Sequence, residues 1–245
     1  MFTELLTRIG IGSATVDTRL ASAQVVPGGI LRGEVSIQGG SAAQEMSALY
    51  LRVMTRYKTD EHTHDLTLAS HTLAAPMTIQ PGSTWQQPFE VQLPYATPLT
   101  LKRTPVYVVT GVDIAMSLDP KDTDMLRVMP HPLQERFLQS LDQLGFYLWQ
   151  DELERHAGWS QLGIVQELEF HPNGAYRGRL RELEVIFHLD EGGLQVFLEI
   201  DRRARGLGLL FESLNEQRTS LRFTPADLQR GDWTGQIQSV INARL

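Results

Sequence analysis

The sequence predicts an all-β protein of two tandem β-sandwich lobes, with a helix after the junction and short helices near both termini. Strand-like alternation of apolar residues recurs through the first half of the chain between Pro-Gly turns, and no helical pattern interrupts it. Strands at that spacing are typical of sandwiches. The composition changes at residues 130–132, where a helix begins. We therefore place the domain boundary near Met129, with lobes of residues 1–129 and 130–245.

The first lobe is predicted from stretches in which every second residue is apolar. The clearest runs from Val106 to Leu118 and predicts a strand with Val112, Ile114 and Met116 buried. Ser47–Thr59 is the second strong strand, with one apolar and one partly wet face. We interpret it as a surface strand whose edge could accept a partner strand. Weaker alternation completes the lobe at 16–20, 33–37, 66–79 and 89–93.

A helix over residues 132–144 is predicted to open the second lobe. Proline stands in its first turn and Gly145 follows its last residue, which are the usual signals for the start and end of a helix. Leu133, Phe137 and Leu141 recur at helical spacing, so this stripe should lie against the second core.

The remaining elements of the second lobe are shorter. Three strands are predicted at 163–170, 183–189 and 194–200, the last two joined by a turn at 190–193. Short helical segments are predicted at 3–9, at 207–214, after Thr224 and from Trp233 to the end.

Composition limits the classes of function. The 245-residue chain is 42% hydrophobic, contains no cysteine and carries a formal net charge of −7. Disulfides and thiolate metal sites are thereby excluded, and the acidic balance argues against binding to a nucleic-acid backbone. The N-terminus lacks the pattern of a signal peptide, and no apolar run is long enough to cross a bilayer. We expect a cytoplasmic protein with no transmembrane segment.

Seven segments, in order over nearly the whole chain, carry a family resemblance. They are Ile9–Leu20, Leu49–Tyr57, Met77–Gly82, Gln92–Thr100, Thr110–Asp124, Met129–Leu133 and Glu199–Gly208. Together they resemble the sporulation-control SpoOM family, a bacterial branch of the arrestin-like proteins. The resemblance implies an arrestin-like fold of two sandwich lobes, a cytoplasmic location, and a regulatory or scaffolding role through protein contacts, with no known chemistry.

We therefore predict a non-enzymatic adaptor that binds protein partners, among which a second copy of the chain, as a homodimer, stays open. The main alternative is a β-sandwich that binds a small ligand or a metal, and an undetected hydrolase is a third. A buried polar pocket at a loop end would favour ligand binding, whereas an exposed strand edge would favour the adaptor.

Six arginines of the second lobe form the candidate binding site. Arg177, Arg179 and Arg181 alternate, so an extended segment would point them the same way, and the others are Arg202, Arg203 and Arg205. They could be solvated strand ends neutralised by nearby acids, could pair with acids of the other lobe, or could bind an anion such as phosphate or an acidic peptide. A regular strand would put the first three on the apolar face of 183–189, so a change of element must intervene.

Two other patterns could carry chemistry. His62 and His64 lie among acids and could bind a metal, but a solvated hairpin tip explains them as well. The pairs Glu167/Glu169 and Glu182/Glu184 each share a strand face, and we interpret them as solvated surface rather than as acid–base catalysts. Because the sequence contains no nucleophile elbow, phosphate loop or dinucleotide fingerprint, we predict no catalytic residue, no cofactor and no bound metal.

Overall fold

The computed structural model describes residues 13–58, 62–114, 119–201 and 219–245. In that part of the chain it consists mostly of β-strands with two α-helices, which confirms the all-β class. The chain forms two compact units, the first from residues up to 56 with 64–100 and 105–128, the second from 57–63, 101–104 and 129–245. The helical segments predicted at 3–9 and 207–214 lie outside the described residues, as does Met116.

The strands of the first unit form two sheets. Within the described residues one sheet has the order β1-β3-β7 and the other β2-β9-β8-β4-β5, with β6 paired to β4. The sheets pack face to face, because the Thr18 hydroxyl on β1 donates to the Thr110 hydroxyl on β8 at 2.7 Å. The strands are β1 Thr15–Leu20, β2 Gln24–Val25, β3 Ile30–Gln38, β4 Gln44–Lys58, β5 Thr63–Ala74, β6 Met77–Ile79, β7 Thr84–Gln92, β8 Val106–Ile114 and β9 Lys121–Val128.

The core of this sandwich follows the predicted alternation. Val112 and Ile114 on β8 are buried, as the sequence predicted. On β4, Leu51 and Val53 are fully buried while Arg52 and Arg56 on the opposite face are exposed. The two-residue period in the sequence thus gives the strand one buried face and one solvent-exposed face.

The interpretation of β4 as an edge strand is wrong. β4 lies between β8 and β5, and its backbone pairs with β8 from Met46 to Thr55. Its amide and carbonyl groups are therefore already used within the sheet, and a partner strand cannot be added there. The hydrophobic pattern of a strand indicates which of its faces is buried but not which strands pair with it. The position of β4 within the sheet therefore could not be predicted from its own sequence.

The second unit contains one sheet and both helices in its described part. The sheet is antiparallel, with the order β10-β11-β12-β13-β14. We call it the β10–β14 sheet. Its elements are α1 Pro132–Gln143, β10 Phe146–Arg155, β11 Ile164–Pro172, β12 Glu182–Asp190, β13 Gly193–Asp201, β14 Thr219–Phe223, a 3-10 turn Pro225–Leu228 and α2 Trp233–Asn242.

The two helices cover one face of this sheet. The ring of Phe137 on α1 lies 5.6 Å from that of Phe187 and 6.0 Å from that of Phe223. Phe223 in turn stacks on Trp233 of α2, with 3.8 Å between ring centroids. The predicted stripe of α1 is confirmed, because Leu133, Phe137 and Leu141 are all buried. These contacts make an aromatic core between helices and sheet.

The ends of α1 also follow the sequence. The His131 side chain caps the first turn by accepting from the Leu133 amide, and the side-chain oxygen of Gln134 accepts from the His131 amide. Gly145 follows the helix with φ +83°, a conformation that favours glycine. None of the described helices has the length and apolar character needed to cross a bilayer.

Two features of the second unit differ from the expectation. In the described residues, helices rather than a second sheet lie on the aromatic core, where a second sandwich was predicted. The sequence also missed β10 and β14. Strand β10 escaped detection because its register shifts between Leu148 and Gln150, which breaks its alternation, and because its later residues are mostly charged.

Candidate functional site

Glutamates line the face of the β10–β14 sheet that is opposite to the helices. Strand register aligns them, since Glu152 pairs with Glu167, and Glu184 pairs with both Glu169 and Glu199. Leu168 and Val185 alternate with them and point to the other face. We call this set the glutamate face: Glu152, Glu154, Glu167, Glu169, Glu182, Glu184 and Glu199.

Glu167 lies at the buried centre of the glutamate face. The residue is only 8% exposed, and its Oε2 atom has no hydrogen-bond partner among the described residues. Burial is the main cause that raises the pKa of its carboxyl to about 9, and the charges of Glu184, Glu154, Glu152 and Glu199 add to it. Glu167 is therefore protonated at neutral pH.

The interpretation of these glutamates as ordinary solvated surface is wrong for two of them. Glu167 and Glu182 are each 8% exposed. The predicted sharing of a strand face does hold, since Glu167 and Glu169 lie two residues apart on β11 and Glu182 and Glu184 on β12. Sequence alone gives the face of a strand, but the packing that buries it comes from neighbouring strands and loops.

Glu169, His171 and Glu182 come together at one corner of this face. One ligand-type atom from each lies within 4.8 Å of the other two. The His171 Nε2 atom is 2.7 Å from the Glu169 Oε1 atom, and the side-chain amide of Gln150 donates to the other oxygen of Glu169. The imidazole of His171 stacks on Trp149, with 4.8 Å between ring centroids and 9° between planes. Their positions in the sequence did not predict that these three residues would meet.

Strand β10 forms an open edge beside this corner. In the described chain it pairs with β11 and has no strand on its other side. Three consecutive large side chains are exposed along it: Tyr147 by 45%, Leu148 by 39% and Trp149 by 59%. The register shift between Leu148 and Gln150 adds one residue to β10 relative to β11, and Trp149 is that residue.

The structure does not align the predicted arginines as an extended row. The chain turns at Arg177–Leu180, where the Tyr176 carbonyl accepts from the amides of Arg179 and Leu180 at 3.0 and 3.1 Å. The required change of element therefore occurs before β12 begins. Arg181 lies close to the glutamate face, with its Nε atom 3.8 Å from Glu182 Oε2. The remaining three, Arg202, Arg203 and Arg205, lie outside the described residues, and their role stays a prediction.

The histidine pair is exposed. Both His62 and His64 lie on the surface, and the described residues bring no group of three ligands together around them. Their acidic neighbours Asp60 and Glu61 lie outside the described part of the chain.

Known proteins match this chain over nearly its whole length, in sequence and in structure. The model of the SpoOM protein family matches residues 2–204. The chain is 40% identical over 253 residues to the sporulation-control protein spo0M of Bacillus subtilis strain 168, covering 100% of this chain and 97% of that protein. The crystal structure of Spo0M from B. subtilis superposes with a TM-score of 0.88 at 37% identity, covering 96% of this chain and 100% of that one.

Proposed function

Because the chain belongs to the SpoOM protein family, we propose that it is a non-enzymatic regulatory adaptor that acts in the cytoplasm through protein contacts. The relative that supports this proposal is named a sporulation-control protein, and it resembles the chain over its whole length. The observation that carries the adaptor role is the open edge of β10 with its three exposed large side chains.

An open edge offers a row of backbone donors and acceptors. A partner segment in extended conformation can pair with such a row, and exposed side chains beside it then provide the apolar contact that ordinary surface lacks. Tyrosine and tryptophan are enriched at interfaces because they combine a large apolar area with a polar atom. Tyr147 and Trp149 supply this combination on β10.

Charge selects the kind of partner. The glutamate face adjoins the β10 edge, since Glu152 and Glu154 are part of that strand and pair with β11. A partner rich in lysine or arginine would be steered toward this surface, whereas an acidic partner would be repelled. We therefore infer that the partner segment is extended and basic.

The test is a crosslinking pull-down from native lysate with a double variant, Tyr147→Ser/Leu148→Ser. The variant should lose the proteins that the parent captures, because it removes apolar area and leaves the glutamates in place. Ile30→Ser/Met125→Ser is the matched control, since it also removes two exposed large side chains, 46% and 63% exposed, from other strands. The control should capture the parent's set.

Two outcomes of this experiment have distinct meanings. If the Tyr147/Leu148 variant captures the same proteins as the parent, β10 is not the contact surface and the proposal fails. If the captured protein is the chain itself, light scattering after size exclusion should give twice the monomer mass for the parent and the control but not for the variant.

A further inference from the structure

We propose that Glu169, His171 and Glu182 bind a divalent metal ion such as zinc. The proposal is independent of the adaptor role and replaces the expectation that the chain binds no metal. It starts from strand register: Glu169 and His171 lie two residues apart on one face of β11, and Phe170 pairs with Leu183 on β12. The next step along this ladder brings Glu182 beside His171, although the two are far apart in sequence.

The donor set suits such an ion. One imidazole nitrogen and two carboxylate oxygens are ligands that zinc accepts at about 2.0–2.2 Å, with a solvent molecule free to complete the tetrahedron. The three ligand atoms lie within 4.8 Å of one another. A tetrahedral ion needs ligand atoms about 3.3 Å apart, which small rotations of the two glutamate side chains provide.

Neighbouring side chains already orient the ligands. Trp149 stacks on the His171 ring, and the Gln150 amide donates to Glu169. Ligands of metal sites depend on such outer partners for their direction. The His171 and Glu169 side chains are 28% and 15% exposed, so an ion could enter from solvent and still be largely shielded.

Glu167 lies on the same face of β11 as two of the proposed ligands but is not part of the group. It precedes Glu169 by two residues on the same face of β11 and pairs with Glu152. It is 8% exposed, and its buried Oε2 atom has no hydrogen-bond partner among the described residues. Its charged neighbours are Glu184, Glu154, Glu152 and Glu199, so the proposed ion rests on Glu169, His171 and Glu182 alone.

Among the described residues, Arg181 competes with the proposed ion for Glu182. Its Nε atom is 3.8 Å from Glu182 Oε2, a long ion pair, and its side chain is 56% exposed. A long, exposed pair contributes little and is easily broken, so the arginine can leave when an ion binds. Arg181→Ala should therefore retain zinc binding or strengthen it.

Isothermal titration of zinc into the chelator-treated full-length chain tests the proposal. The parent should bind one ion per chain, and the double variant Glu169→Gln/His171→Gln should bind at least about 100-fold more weakly. The matched control is His62→Ala/His64→Ala, which removes two exposed histidines and should bind as the parent does. Loss of binding in the control with retention in the Glu169/His171 variant would overturn the proposal, as would no binding by the parent.

A spectroscopic readout separates a site from a folding defect. Zinc on His171 should change the emission of the stacked Trp149, and the change should vanish in Trp149→Phe while the other three tryptophans remain. Gln150→Ala should weaken zinc binding by about 10-fold, as expected for an outer partner of a ligand. Unaltered affinity in Gln150→Ala together with an unchanged tryptophan signal in the parent would contradict the proposed geometry. The Tyr147/Leu148 variant keeps all three ligands, so failure of either proposal leaves the other testable.

Discussion

The two faces of the β10–β14 sheet are built by the same strands but from opposite chemistry. The helix face is closed by Phe137, Phe187, Phe223 and Trp233, whose rings contact one another. The other face places glutamates in register across four strands and buries some of them. Burial of apolar rings stabilises the unit, whereas burial of like-charged acids opposes folding unless something binds them. The first face therefore maintains the fold, and the second is the face for which we propose binding.

The largest expected loss of stability comes from placing an acid in the core of the first unit. Ile114 is 5% exposed in the core of the first unit, and Ile114→Asp should unfold that unit, since the cost is on the order of the whole stability margin. Thermal melting followed by circular dichroism measures it. The control is Met125→Asp at a residue 63% exposed in the same sheet, which should melt near the parent. An Ile114→Asp protein as stable as the parent would contradict the assignment of β8.

Removal of one aromatic ring from the helix face should cause the next largest loss of stability. Phe137 is fully buried, and Phe137→Ala removes its contacts with Phe187 and Phe223. The free energy of unfolding should fall by about 3–5 kcal/mol, as measured by urea denaturation. The exposed Gln139 on the same helix gives the control, Gln139→Ala, which should change it by less than about 0.5 kcal/mol. A small loss from Phe137→Ala would mean that α1 does not maintain this face.

Neutralising the glutamate face should stabilise the chain. Glu167→Gln keeps the shape of the protonated acid, and in chelator at pH 7 we expect it to raise the free energy of unfolding by about 1–3 kcal/mol. The pKa of Glu167 is raised by burial to about 9, so between the ordinary value of 4.5 and 9 the folded chain holds a proton that the unfolded chain releases. Stability of the parent should therefore fall as pH rises through this window. Glu167→Gln should flatten that slope, and an equally steep slope in the variant would refute the assignment.

The smallest predicted change in stability comes from His131, and its stabilising contribution should be lost as pH falls rather than as pH rises. Burial lowers the pKa of His131, whose ring caps α1 by accepting from the Leu133 amide. A lowered histidine pKa means that the unfolded chain takes up the proton first, so this contribution is lost as pH falls below 6.5. His131→Ala should cost about 0.5–2 kcal/mol at pH 7.5 and less at pH 5. A cost independent of pH would show that the ring does not act as the cap.

Sequence patterns correctly predicted the features that depend on residues close together in the chain. The stripe of α1, its proline start and Gly145 at its end were all readable, because a helix is stabilised by residues a few positions apart. The buried face of β4 was readable for the same reason. The edge status of β4, by contrast, depends on which strands pair with it, and that information lies in β5 and β8 rather than in β4 itself.

The group of Glu169, His171 and Glu182 shows the same limit of prediction from sequence. Glu169 and His171 are two residues apart, but Glu182 joins them only through the pairing of β11 with β12. Spacing along the chain therefore pointed to His62 and His64, which lie two residues apart, and not to a group that forms only when two strands pair. The change of element that the sequence required before residue 183 occurs where Gly178, with φ +80°, permits a turn, so Arg177, Arg179 and Arg181 do not form an extended row.

The extra residue on β10 has a consequence for self-association. A long, regular and uncovered edge can recruit identical strands without limit, which is the route to fibrils. At Trp149 the backbone row is interrupted, so the edge divides into two short stretches on either side of it. A strand with regular spacing can match one stretch but not both, and only a partner with its own irregularity can follow the whole edge. The extra residue thus limits how many consecutive backbone hydrogen bonds a regular strand can form along β10.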